Sequence, residues 1–395
     1  MASSPPQESI CWRRLYTEAC LLRALVEIVF WDCSEPHVKR AIALLDHILV
    51  VAGAPGEGRY DLVVFLISKI QTDYLPSPPL NITRPDGPSS RPTSNAPLMA
   101  STGSVPRLDS LPSFTQFKTH LHRQPFILSG YARDWPAMTD RPWQSFAYLR
   151  SVSGRGRVVP IEVGGDYRAD DWSHRMMEWD NFLDRLENEQ KDSDGAAESG
   201  KGDASVLYLA QHNLLSQFPS LRDDVVVPDY VYSCPPPPPD YPDYRPPGND
   251  DQLVVNAWLG PKGTISPAHT DPYYNFYAQI VGSKTVWLAP PAISTSMYPY
   301  PPSTSSSSTT DTQAHNNPAS NNVEPSMSNT SRVDVFAESP HERHRDTITF
   351  PAFWENAVPR AQNATLHPGD VLFFPPGWWH AMRSEETSFS VSMWF

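Results

Sequence analysis

Asn256-Ala-Trp-Leu-Gly-Pro-Lys-Gly-Thr-Ile-Ser-Pro-Ala-His-Thr-Asp-Pro-Tyr-Tyr-Asn275 is the stretch on which the fold turns. It contains His269-Thr-Asp271, and on a strand residues i and i+2 point to one side, so this imidazole and carboxylate converge. A third candidate, His380, follows Gly369-Asp-Val-Leu-Phe-Phe-Pro-Pro-Gly-Trp-Trp, a strand and then a tight turn. Two histidines and a carboxylate on one face of an octahedron leave three positions open, the arrangement that suits non-haem Fe(II) and a chelating cosubstrate. The chain holds its own control in His344-Arg-Asp346, the same spacing in a charged stretch without apolar alternation. That copy reads as ordinary surface.

Outward from the stretch, short apolar segments recur at Leu253–Leu259, Asn275–Val281, Lys284–Ala289, Asp370–Phe374 and Ser388–Phe395. Turns such as Gly282-Ser283 and Pro368-Gly369-Asp370 separate them, as expected for a jelly-roll or cupin-like barrel. If 2-oxoglutarate chelates the metal, its far carboxylate needs a buried cation and polar donors. Lys284 opens a strand, Asn275 lies on the preceding one, and Tyr208 sits in an apolar run; a solvated strand end explains Lys284 equally, and packing is the ordinary explanation for Tyr208. In the last strand Ser388, Ser390, Ser392 and Trp394 share one face, suited either to a cofactor cavity or to a solvent-facing edge.

The remaining chain divides by composition. Ile10, Leu15, Ala19, Leu22, Val26 and Val29 recur at three- to four-residue intervals, predicting one buried helix face. Further helices are expected after Pro36 (Val38, Ile42, Leu45, Leu49) and over Asp61–Tyr74. Residues 1–75 thus form a separate N-terminal α-helical region, 76–107 a disordered linker rich in Pro, Ser, Thr and Asn, and 108–395 the catalytic domain. Proline- and serine-rich stretches near 235–249 and 297–346 predict disordered inserts. The 43 prolines and 39% hydrophobic content agree with that picture. A net charge of −13 argues against nucleic-acid binding. Four cysteines without CxxC spacing read as reduced, buried or inert thiols. The N-terminus lacks the order of a signal peptide and no apolar run reaches membrane length, so an intracellular chain, nuclear or cytoplasmic, is expected.

The Asn256–Asn275 stretch resembles JmjC-domain proteins, and more narrowly the lysine-specific demethylase 8 and arginyl hydroxylase group. Tyr208-Leu-Ala-Gln-His, Pro160-Ile-Glu-Val-Gly, the Gly282-Ser-Lys turn, Ser388-Phe-Ser-Val-Ser-Met-Trp and Trp12-Arg-Arg-Leu-Tyr extend the match. The resemblance implies an all-β double-stranded β-helix with flanking helices. It implies an oxygenase using Fe(II), 2-oxoglutarate and O₂, with His269, Asp271 and His380 as catalytic metal ligands. It assigns Tyr208, Ser266, Asn275, Lys284 and Trp394 to 2-oxoglutarate, and Glu162, Gln211 and Trp258 to the substrate pocket. The implied substrate is a protein carrying Arg or methyl-Lys, with arginine hydroxylation favoured because no histone-reader module accompanies the barrel. Tyr273-Tyr274 departs from the family pattern and is expected to reshape substrate access. Two other readings stand beside this one: a cupin using manganese or zinc for other chemistry, and a non-catalytic interaction module whose inserts dock proline-binding domains.

Overall fold

A computed structural model describes residues 7–30, 33–76, 100–168, 172–194, 205–301, 327–337 and 340–395. Its strands are β1 (Gly103–Ser104), β2 (Arg107–Leu108), β3 (Phe126–Leu128), β4 (Val158–Val163), β5 (Ser173–Glu178), β6 (Leu207–His212) and β7 (Val254–Gly260). There follow β8 (Ile265–Thr270), β9 (Asn275–Val281), β10 (Lys284–Ala289), β11 (Gln362–Leu366), β12 (Val371–Phe374), β13 (Trp379–Ser384) and β14 (Ser388–Trp394). They build a small sheet in the order β1-β11-β10-β13-β8 and a large one in the order β2-β3-β12-β9-β14-β7-β6-β4-β5. The two sheets face each other as a cupin-like sandwich.

Strands β10, β13 and β14 are buried at every position, because both of their faces are covered. Between the sheets, Tyr277, Leu372 and Phe374 meet Val286, Leu288, Leu366 and Met382. The alternate residues point outward. Phe276, Val391 and Met393 join a helix-covered core, while Trp287, Ala381 and Trp379 pack under Ile293, Val333 and Phe353. Ser388, Ser390 and Ser392 are fully buried, so the polar face of β14 lines the interior and is no solvent edge. The β9–β10 turn needs Gly282, where φ is +65° and a Cβ would run into the Thr387 carbonyl.

The N-terminal helices are α1 (Gln7–Val29), α2 (Glu35–His47) and α3 (Arg59–Tyr74). The expected burial of the Leu15–Val29 stripe is corrected: Leu15, Leu22, Val26 and Val29 are exposed. Thr17, Cys20, Ala24 and Glu27 are buried instead, because these smaller side chains let α1 approach α2 and Glu27 is met by Arg23, His37 and Arg40. Val38, Ile42 and Leu45 of α2 are fully buried as read. Cys20 is buried, Cys11 and Cys234 are exposed, and all four are free, in line with the reduced thiols expected.

The bundle docks on the barrel through one buried ion pair. Asp46 receives Arg157 Nε (3.0 Å) and Nη2 (2.6 Å), the Val158 backbone N–H (2.9 Å) and Gln217 Nε2 (2.8 Å). Removing one member strands a buried guanidinium, so Asp46→Ala is expected to cost ~3–5 kcal/mol. A drop in the denaturant midpoint checks this; a loss below ~1 kcal/mol would show the pair to be dispensable.

Three expected disordered stretches are corrected in part. Residues 100–107 belong to the barrel, with Ala100 and Val105 buried and β1 paired to β11. The proline run after Cys234 is packed: Tyr244 is buried, Tyr274 Oη donates to the Pro236 carbonyl (2.7 Å), and Tyr241 lies over Gly377. Aromatic residues interleaved among the prolines supply the burial that composition concealed. Within 297–346, Thr330, Ser331, Val333 and Val335 are buried, and Pro340–Thr349 is helical. Residues 302–326 and 338–339 of that stretch, and 77–99 of the linker, lie outside the described residues. No helix among the described residues is long and apolar enough to cross a membrane.

Candidate metal centre

His269 lies on β8, Asp271 just beyond its end, and His380 opposite His269 on β13. Their donor atoms all fall within 4.8 Å of one another. Asp271 Oδ2 is 3.4 Å from His380 Nε2, and Oδ1 is 3.9 Å from His269 Nε2. Ligands at right angles with ~2.1 Å bonds stand ~3 Å apart, so little closure is needed for a metal to seat. Both rings place Nδ1 against their own backbone, His269 at the Pro267 carbonyl (2.8 Å) and His380 at the Trp378 carbonyl (3.0 Å). With Nδ1 held there, both rings turn Nε2 toward Asp271. Burial, then the neighbouring His380, push His269 down to about 4, so its imidazole is neutral at pH 7. Burial opposes the charge on Asp271, but the His380 hydrogen bond and the two imidazoles outweigh it and its carboxyl lies below the usual range.

A β-bulge assembles this face. His380 pairs with His269 and Met382 with Ser266, so Pro267 and Ala268 stand opposite Ala381 alone. The extra residue brings Ser266 and His269 to the same interior side, which strict alternation forbids. Ser266 and His269 line one small cavity with Trp258, Asp271, Asn275, Tyr277, Phe374, His380 and Met382.

Lys284 lies deeper in the barrel and is 1% exposed, which excludes a solvated strand end. Its Nζ donates to Tyr277 Oη (2.9 Å) and Tyr208 Oη (3.3 Å). Burial lowers its pKa to about 7 and holds the Tyr208 phenol well above its ordinary value. Asn275 Oδ1 accepts from the Met393 backbone (3.3 Å). Two buried donors, Asn256 Nδ2 and Trp394 Nε1, have no partner. Both belong to the alternation that faces Trp258 Nε1 and Ser392 Oγ, which bond each other at 2.9 Å. Two imidazoles, one carboxylate, a buried amine and unpaired interior donors fit Fe(II) with a chelating dicarboxylate.

Glu162 is cross-strand from Tyr208 and accepts from Trp172 Nε1 (3.2 Å), with His174 Nε2 at 3.5 Å. Burial raises its pKa against the pull of Trp172 and His174. Gln211 is exposed on a bulge of β6 with φ +47°. Tyr273 stacks on Trp394 (5.5 Å), whereas Tyr274 is fully buried among Phe373 and Phe395. The expectation that both tyrosines reshape access is thus corrected for Tyr274, a core residue. Sequence reasoning missed Tyr277, although it lies two residues beyond Asn275 on the same strand face. It also missed Trp172, Tyr167 and Thr330, which no spacing rule connects to the triad. His344 and Asp346 lie on the helix Pro340–Thr349, outside the metal group.

The sequence matches the Cupin-like domain family over residues 113–395. It is 33% identical to Lysine-specific demethylase 8 of Danio rerio over 391 residues, covering 97% of this chain and 81% of that protein. Jumonji C domain-containing protein 5 of Drosophila melanogaster is 32% identical, with 98% and 81% covered. Lysine-specific demethylase JMJ30 of Arabidopsis thaliana is 30% identical over 276 residues, 70% of this chain and 51% of that protein. With a His-Asp-His face inside a double-stranded β-helix and these relatives along nearly its whole length, the chain belongs to the cupin-like JmjC family and is an enzyme of the 2-oxoglutarate-dependent dioxygenase class.

Proposed function

We propose that this chain hydroxylates an arginine side chain of a protein substrate, using Fe(II), 2-oxoglutarate and O₂. The observation that carries the reading is the buried Lys284 amine bonded to Tyr277, which lines one cavity with the His-Asp-His face. Lys284 lies four residues along β10 from Leu288, the partner of His380. That is ~13 Å of strand, a span filled by a lysine side chain, a five-carbon dicarboxylate and an imidazole together. Lys284 and Tyr208 bind the far carboxylate, Tyr277 orients the lysine, and Ser266, Asn275 and Trp394 supply further polar contacts.

His269, Asp271 and His380 hold the iron and leave one side open. When bound there, Fe(II) with 2-oxoglutarate supplies the oxidising power to insert one oxygen atom of O₂ into a C–H bond. The packed barrel around Phe374 and Met382 excludes water, and the mouth aims the substrate. Glu162 offers a carboxylate, Gln211 an amide and Trp258 an aromatic face. Such acceptors suit a guanidinium with five N–H donors better than a methylated ammonium, which gains most from an all-aromatic cage. The second reading, demethylation of a histone methyl-lysine by the same site, is favoured by the names of the relatives.

Mass spectrometry of arginine and methyl-lysine peptides after incubation with iron, 2-oxoglutarate and air separates the two. Gain of an oxygen on arginine supports the proposal. Loss of a methyl group from lysine alone would replace it with the second reading.

A further inference from the structure

Residues 329–331 add a strand to the edge of β8, alongside the metal-ligating His269. The Thr270 N–H donates to the Asn329 carbonyl (3.0 Å), the Ser331 N–H to the Ala268 carbonyl (2.8 Å), and His269 pairs with Thr330. On its far side the segment is bonded in turn, the Tyr300 N–H reaching the Thr330 carbonyl (3.0 Å) and the Arg332 N–H the Tyr298 carbonyl (3.2 Å). An open edge at this place would be a template for an extended peptide to pair with. The chain fills that template itself.

The annexed strand is fastened to the mouth by two residues of the turn after β4. Arg168 Nη1 donates to the Ser331 and Val333 carbonyls (3.3 Å each), while its Nε and Nη2 grip Asp166. Tyr167 Oη shares a hydrogen bond with Thr330 Oγ1 (3.2 Å). The same turn begins at Gly164, where a Cβ would press on Trp172, the residue that donates to Glu162. One turn therefore joins the strand of Glu162, with Trp172 close to Gly164, to the segment beside His269 through Tyr167 and Arg168. Arg168 is 13% exposed in its side chain and also lines a further cavity with Asp334 and Asp346.

We propose that Arg168 is a positioning residue for substrate recognition, locking the turn that backs Glu162 and Trp172 to the metal-bearing edge through residues 329–331. The substrate then presents a single side chain across the mouth without pairing its backbone to β8. This rests on the arginine reading above.

The test compares wild type, Arg168→Ala and Arg168→Lys as full chains, using a panel of arginine-centred peptides and amide hydrogen exchange. Arg168→Ala is expected to raise peptide KM by ~10-fold or more, since small misplacements are costly in a preorganised site. It should leave the KM for 2-oxoglutarate within about twofold and speed exchange at 329–331 and 268–270. Arg168→Lys, which lacks the fork, should recover only part of the KM. Faster exchange with an unchanged peptide KM would reduce Arg168 to a brace and overturn the proposal alone, as would unchanged exchange. A wild type that binds Mn(II) and 2-oxoglutarate but neither hydroxylates nor binds any arginine peptide would overturn the reading beneath it as well.

Discussion

Asp271→Ala is expected to abolish 2-oxoglutarate turnover while leaving the fold intact. Asp271 is the single anion of the triad and lies beyond the end of β8, where it contributes no strand pairing by its side chain. Its backbone carbonyl accepts from the Gly377 N–H (2.8 Å), a bond alanine keeps. Loss of the carboxylate leaves two imidazoles alone, a far weaker site for a hard divalent cation. Metal-derived stabilisation is worth several kcal/mol, so succinate formation should fall by ~10³-fold or more. Succinate release and metal content check the loss, and circular dichroism checks the fold. Retained turnover at more than a tenth of wild type would remove Asp271 from the metal centre.

Lys284→Met carries the second large effect. Methionine fills the space of the lysine stem without its charge, so the barrel should stay closed. A buried charge-assisted contact to a carboxylate is worth ~1.5–3 kcal/mol, which predicts a KM for 2-oxoglutarate ~10- to 100-fold higher. The proton balance adds an independent signature. Without a carboxylate partner, burial lowers Lys284 to about 7 from its ordinary 10.5. Between those values the unfolded chain binds the proton and the folded one does not, so Lys284 makes stability rise with pH across that window. Below the lower value both states are protonated and the dependence stops. A bound dicarboxylate favours the ammonium, so binding at pH 8 should take up about one proton in wild type and none in Lys284→Met. Calorimetry in buffers of different ionisation heat measures this; equal uptake in both proteins would assign the proton elsewhere.

How much of this was legible beforehand depended on whether the chemistry followed strand period. His269 and Asp271 were readable as i and i+2, and Lys284 and Asn275 as strand starts beside glycine and tyrosine turns. The family likeness, rather than spacing, brought in Ser266, because a bulge and not alternation puts it beside His269. The α1 stripe misled because the helix carries two faces at the same period. The larger Leu15–Val29 side chains look like the core, yet the face with Cys20 and Ala24 permits close approach to α2. Composition also misled over the proline run, where Tyr241 and Tyr244 supply the anchoring, and over Thr330 and Ser331, whose partners lie on a strand about sixty residues earlier in the chain. Pairing of that range has no local signature.

The most direct test of the central claim is the fate of isotopically heavy O₂ in a single-turnover reaction with iron, 2-oxoglutarate and an arginine peptide. The account predicts one heavy atom in succinate and one on the arginine, both lost in Asp271→Ala. Heavy oxygen in succinate but none on any peptide side chain would contradict protein hydroxylation, and none in either product would contradict the oxygenase.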